Sequence, residues 1–74
     1  MSANEETTKV LTQAIKQLDD GVAVSHRWSH NLGHAAGDAG YAVAEEKLHA
    51  AQAALADVRG LIDEALADIE THAE

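Results

Sequence analysis

Residues 41–72 read YAVAEEKLHAAQAALADVRGLIDEALADIETH, and the spacing within this stretch decides the fold. Tyr41, Leu48, Leu55, Ile62 and Ile69 recur every seven residues, as do Ala44, Ala51, Val58, Ala65 and His72. Seven residues are close to two turns of α-helix, so each row stays on one side of a helix. Large side chains in one row and small ones in the other make a seam of about five heptads, which predicts a single helix over about 40–72.

Working outward, the preceding Gly37-Asp38-Ala39-Gly40 is a turn signal, because Gly tolerates positive φ and Asp bonds its own backbone. Asp38 is the expected N-cap of the second helix. The first arm keeps the seven-residue period: Asn4, Leu11, Leu18, Ser25 and Leu32 form one row, and Thr8, Ile15, Val22, Ser29 and Ala36 the row beside it. Ser2-Ala3-Asn4-Glu5 fits a capping box. Asp19-Asp20-Gly21 could end a helix, since Gly is favoured just past a C-terminus. The heptad phase runs through Gly21 unchanged, however, and no residues remain for a loop. The reading is one helix over about 3–36, with Gly21 the place for any kink.

Two helices of this length joined by a short turn must lie antiparallel, each about 50 Å long at 1.5 Å per residue. The fold class expected is all-α: one helical-hairpin domain over residues 1–74 with its turn at 37–40. Residues whose numbers sum to about 77 should face each other, which sets His49 opposite Trp28 and Glu46 near His30.

A pair of helices leaves part of each apolar stripe wet. Val10, Val24, Val43, Leu61 and Leu66 lie beside the seam and widen it. Burying one such side chain is worth roughly 1.5–3 kcal/mol, so the hairpin should associate. Two hairpins closing into a four-helix bundle, or a larger helical oligomer, is the simplest solution. The expected oligomer or partner interface is Leu11, Ile15, Leu18, Val22, Trp28, Leu32, Tyr41, Leu48, Leu55, Ile62, Leu66 and Ile69. Trp28 reads as a core or interface anchor, or as a hot spot for a foreign partner.

Composition narrows the function. Seventy-four residues allow one small core. No Cys means no disulfide and no thiolate metal site, and no Pro favours long helices. The net charge is −8 and uneven: residues 1–37 hold three basic against four acidic side chains, residues 38–74 two against nine. Acidic surfaces repel phosphate, which argues against nucleic acid and anionic membranes as partners and leaves a basic protein surface as one. No apolar run reaches transmembrane length, and the acidic start lacks the features of a secretory signal. The cytoplasm is the default compartment, although a signal-less export route leaves no mark on this test.

No catalytic constellation stands out. Ser25 and Ser29 lie within a turn of His26 and His30, with no orienting acid and no oxyanion hole in prospect. Glu45-Glu46 and Asp63-Glu64 are neighbours pointing to different sides. Leu32-Gly33-His34-Ala35-Ala36-Gly37 lacks the Lys and strand of a phosphate loop. The chain is therefore read as a non-enzyme without a cofactor. His26, His30 and His34 share one helical stripe, and His26, His30 and Glu46 are the one conceivable metal set. As surface or interface residues they could instead titrate near pH 6–7 and loosen an assembly.

Two long helices with a Trp and a Gly toward the turn loosely resemble, in architecture, the small proteins secreted by type VII systems. Trp28-Ser29-His30 stands in place of their Trp-x-Gly and lies ahead of the turn. Tyr41-Ala-Val-Ala-Glu45 has the spacing of their Tyr-x-x-x-Asp/Glu export signal, but it opens the second helix. The resemblance implies export as a helical hairpin.

Glu5, Glu6, Asp68, Glu70 and Glu74 gather at one end of the expected hairpin, either as a solubilising surface or as bait for a basic target. The leading expectation is thus a self-associating interaction or assembly module. The alternatives are a small acidic inhibitor or nucleic-acid-mimicking decoy, a type VII-like secreted hairpin, and a His-stripe metal binder.

Overall fold

The computed structural model describes the backbone of residues 2–72 and the side chains of residues 5–72. Two α-helices, α1 (Ser2–Asp38) and α2 (Ala42–His72), pack against each other along their length, and no strand occurs among the described residues. α1 runs through Gly21 without a break. The expected capping box falls on the Ser2 side chain and lies outside the described side chains.

The turn differs from the expected one by about two residues, for a local reason. The Tyr41 amide donates to the Ala36 carbonyl at 2.9 Å and the Gly40 amide to the Gly37 carbonyl at 3.0 Å, while Gly40 sits at φ +87°. This is a Schellman closure, in which a left-handed residue just past the helix lets two amides cap its last carbonyls. α1 therefore extends to Asp38, which is a helical residue and not the N-cap of α2. Tyr41 takes that place: its carbonyl accepts the Glu45 amide at 2.9 Å.

The shifted turn changes which residues meet. His49 lies against Gly33 and His34, not Trp28. A Cβ built on Gly33 would stand 3.0 Å from the His49 ring and 3.6 Å from the Leu48 Cβ, and one on Gly37 would stand 2.5 Å from the Glu45 carboxylate. Gly33 is buried, so near the turn α2 packs directly over the backbone of α1.

Along α1 the positions turned toward α2 are Thr8, Thr12, Ile15, Asp19, Val22, His26, Ser29, Gly33 and Ala36, spaced alternately four and three. The corresponding set on α2 is Glu45, Leu48, Gln52, Leu55, Ile62, Leu66 and Ile69, with Arg59 filling the remaining step through its ion pair. One expected row on each helix is confirmed here: Thr8 to Ala36, and Leu48 to Ile69. Tyr41 departs, standing exposed in the turn. The companion rows also differ from those expected. Leu11, Leu18 and Leu32 are exposed, and Thr12, Asp19, His26 and Gly33 take their place. Ala44, Val58 and Ala65 are exposed, and Glu45, Gln52, Arg59 and Leu66 line the contact beside the half-buried Ala51. Leu66, expected beside the seam, is half-buried inside it.

Ile62 is the one buried apolar side chain among the described residues. The radius of gyration is 17.0 Å, against about 11 Å for a compact chain of this length. The exposed area is 5472 Å², against roughly 4,400 Å² for a compact protein of this mass.

Two backbone substitutions test the local account. Gly40→Ala should lose about 1–2 kcal/mol in urea unfolding, because a Cβ is strained at φ +87°. Gly60→Ala should gain about 1 kcal/mol, since it sits within α2 with nothing within 4 Å of where a Cβ would stand, and Ala is the better helix former.

Candidate functional site: the two faces of the hairpin

Both helices use equivalent rows for their mutual contact and run antiparallel. An approximate two-fold axis perpendicular to the hairpin plane therefore relates them, and it carries each flanking row of α1 to the same side as its counterpart on α2. The hairpin consequently has two distinct broad faces.

One face is apolar. α1 contributes Leu11, Leu18, Trp28 and Leu32, and α2 contributes Val58 and Leu61. Val10, Val24 and Val43 line its outer margins, so the apolar surface curls onto the edges of the pair. Trp28 is 59% exposed, Leu18 56% and Leu61 64%. Trp28 is thus no core anchor of the hairpin. The largest side chain of the protein is presented outward, among the small residues Gly21, Ser25 and Ala35 of its own helix. The concave features on α1 are shallow grooves between its own side chains, one lined by Glu6, Thr7, Val10, Leu11 and Ala14.

The opposite face is polar and carries the directional contacts. Arg59 Nε donates to Asp19 Oδ1 and Arg59 Nη2 to Asp19 Oδ2, both at 3.1 Å, a two-pronged pair across the helices. The Arg59 hydrogen bonds hold the Asp19 carboxyl below its ordinary range, against a smaller opposing effect of desolvation. Asp19 in turn raises Arg59, with weaker help from the charges of Asp63 and Asp20. Toward the turn, Gln52 Nε2 and His30 Nδ1 lie 3.2 Å apart. The His30 and His34 rings meet edge to face with centroids 4.5 Å apart, and His34 meets His49 at 6.2 Å.

The histidine stripe expected from the sequence is therefore divided. His30 and His34 join His49 on the polar face, while His26 turns partly into the helix contact. Among the described residues no group of three His, Cys, Asp or Glu is placed to hold a metal ion, the set His26, His30 and Glu46 included. At the far end His72 Nδ1 lies 3.2 Å from Asp68 Oδ1, one turn earlier on α2. No described helix is long and apolar enough to cross a membrane.

The sequence reading missed the Asp19–Arg59 pair. The only signal for it was opposite charge in equivalent positions of the two seams, and that becomes visible once the register of the turn is known. No known protein family, curated protein or solved structure matches the chain.

The lowered Asp19 carboxyl has a pH signature. Its contribution to stability is complete above about pH 4, the unfolded carboxylate range, and is lost as the pH falls through its lower folded value. Asp19→Asn should lower the melting temperature at pH 7, and the gap to the parent chain should narrow progressively below pH 4. A gap that stays constant down to pH 2 would show that the pair adds nothing through ionisation.

Proposed function

We propose that this chain is a non-enzymatic assembly module that self-associates through the apolar face of its hairpin. The observation that carries the reading is the imbalance between inside and outside. One apolar side chain is buried among the described residues, while Leu11, Leu18, Trp28, Leu32, Val58 and Leu61 stand exposed together on one face. Contiguous apolar patches of this kind mark association surfaces. Trp is enriched among the residues that dominate binding energy when a partner covers them. The chain's surface exceeds that of a compact monomer by about 1,000 Å², comparable with the 800 Å² or so that each partner contributes to a standard interface.

A second reading, an acidic decoy for a basic protein, is favoured by the clustering of charge. The half of the hairpin away from the turn, residues 5–23 and 57–72, holds nine acidic side chains against three basic ones. In that case a basic partner would bind with steep salt dependence, whereas association through an apolar face is largely indifferent to salt.

Sedimentation equilibrium from nanomolar to hundreds of micromolar chain, followed in parallel by circular dichroism, separates the readings. The expected result is a dimer or closed oligomer whose helicity falls as it dissociates. Leu18→Ala and Trp28→Ala should each weaken association by ten-fold or more, and Arg27→Ala on the polar face should leave it unchanged. A monomer that remains fully helical at the highest concentration would refute the assignment.

A further inference from the structure

The self-association reading says that two copies meet; the distribution of charge and side-chain size on the apolar face also says how. We infer that two hairpins stack apolar face to apolar face with their turns at opposite ends. The two-fold axis crosses α2 between Asp57 and Val58 and α1 near Val22 and Ala23. This inference rests on the proposed function and fixes the geometry of that same surface.

The size of the face suits a second copy. The Cα trace extends 58 × 15 × 10 Å, so its broad side offers on the order of 900 Å², and two such sides together match a standard stable interface. A flat face of two parallel ridges is also the natural complement of another like it, which is how hairpins close into four-helix bundles.

Charge chooses between the two ways of stacking. The rows that flank the helix contact on this side hold just two formally charged side chains among the described residues, Lys47 and Asp68. They fall in one row of α2, with Ala54 and Leu61 between them, and lie nearly equidistant from the middle of the helix. With the turns at opposite ends, α2 lies antiparallel over its own copy. Lys47 of each chain then faces Asp68 of the other, and both charges are compensated twice over by symmetry. With the turns at the same end, α2 lies over the other copy's α1. Lys47 then stands over Leu32 and Ala35, and Asp68 over Leu11 and Ala14, each without an opposite charge on the other copy. Covering an unpaired charge costs free energy that a paired one largely avoids.

The overall charge points the same way. The half of the hairpin nearer the turn, residues 24–56, carries two basic against three acidic side chains, and the other half three against nine. Turns at opposite ends set each strongly acidic half over a nearly neutral one, whereas turns together would superpose the two acidic halves.

Side-chain size agrees with the same axis. It brings Leu61 over Ala54 on α2 and Leu32 over Ala14 on α1, large against small. Trp28 of each copy then lies over Gly21 and Leu18 of the other. Gly21 has nothing within 4 Å of the position of a Cβ in the single chain, so the space above it is open to receive the indole.

The chain has no cysteine, so one introduced thiol can be labelled alone. Ala39 is exposed in the turn, and a nitroxide on Ala39→Cys reports the separation of the two turns by pulsed electron resonance. Turns at opposite ends predict a distance on the order of 50 Å, close to the full helix length, and turns together predict less than about 20 Å. Lys47→Glu and Asp68→Lys should each weaken dimerisation about ten-fold, and the double variant should recover to within a few-fold of the parent, because the pairs reform with reversed sign. A short turn-to-turn distance, or a double variant weaker than either single one, overturns the stacking inferred here and leaves self-association standing. A chain that sediments as a monomer throughout overturns both. Circular dichroism on each variant confirms that it has retained its helices.

Discussion

The rotation of each helix about its own axis is the constraint on which the rest of this structure depends, and the contact between Arg59 and Asp19 together with the close approach at Gly33 sets it. The ion pair is partly exposed, with 45% of the Arg59 side chain and 20% of the Asp19 side chain accessible. Pairs of that kind contribute little net free energy. Their effect here is selective rather than cohesive. A guanidinium gripping both oxygens of a carboxylate is satisfied in one orientation, and turning α2 by one row would break it. Gly33 acts in the same sense, because the His49 ring and the Leu48 side chain occupy the space that any Cβ at that position would need.

From that rotation the division of labour between the faces follows. The helices turn polar and small residues toward each other: Thr12, Asp19, His26 and Gly33 on α1, and Glu45, Gln52 and Arg59 on α2. These residues can line a half-open contact because their polar atoms reach solvent or one another, and no buried side-chain nitrogen or oxygen among the described residues lacks a partner. The leucines that would have made a stronger two-helix core are displaced onto the broad face. A single hairpin thereby buries little apolar surface of its own and leaves those leucines open to solvent. Small domains below the size at which one core suffices commonly solve the problem by association.

The polar face shows why spacing alone over-reads histidines. His26, His30 and His34 look like one stripe because residues four apart share a side of a helix. In three dimensions that stripe drifts around α1. It begins partly inside the helix contact at His26 and ends outside it at His34, where His49 of the other helix completes a cluster of edge-to-face rings. The cluster joins the arms near the turn by ring contacts, and it lies on the side away from the apolar face.

Two long helices, their antiparallel order and one correct row on each are legible in the chain alone. Those features depend on local propensity and on a seven-residue repeat that survives Gly21. The turn at 37–40 is marked there too, although the Schellman closure at Gly40 carries α1 on to Asp38, because helices end where their last carbonyls can be capped rather than where a turn motif first appears. Which second row each helix turns inward is settled only when the helices meet. The apolar arc of α1 spans Val10, Leu11, Ile15, Leu18 and Val22, wider than one neighbouring helix can cover, so its pattern is compatible with more than one rotation. The choice among them rests on contacts between residues as distant in sequence as Asp19 and Arg59, and no pattern local to either helix contains that information.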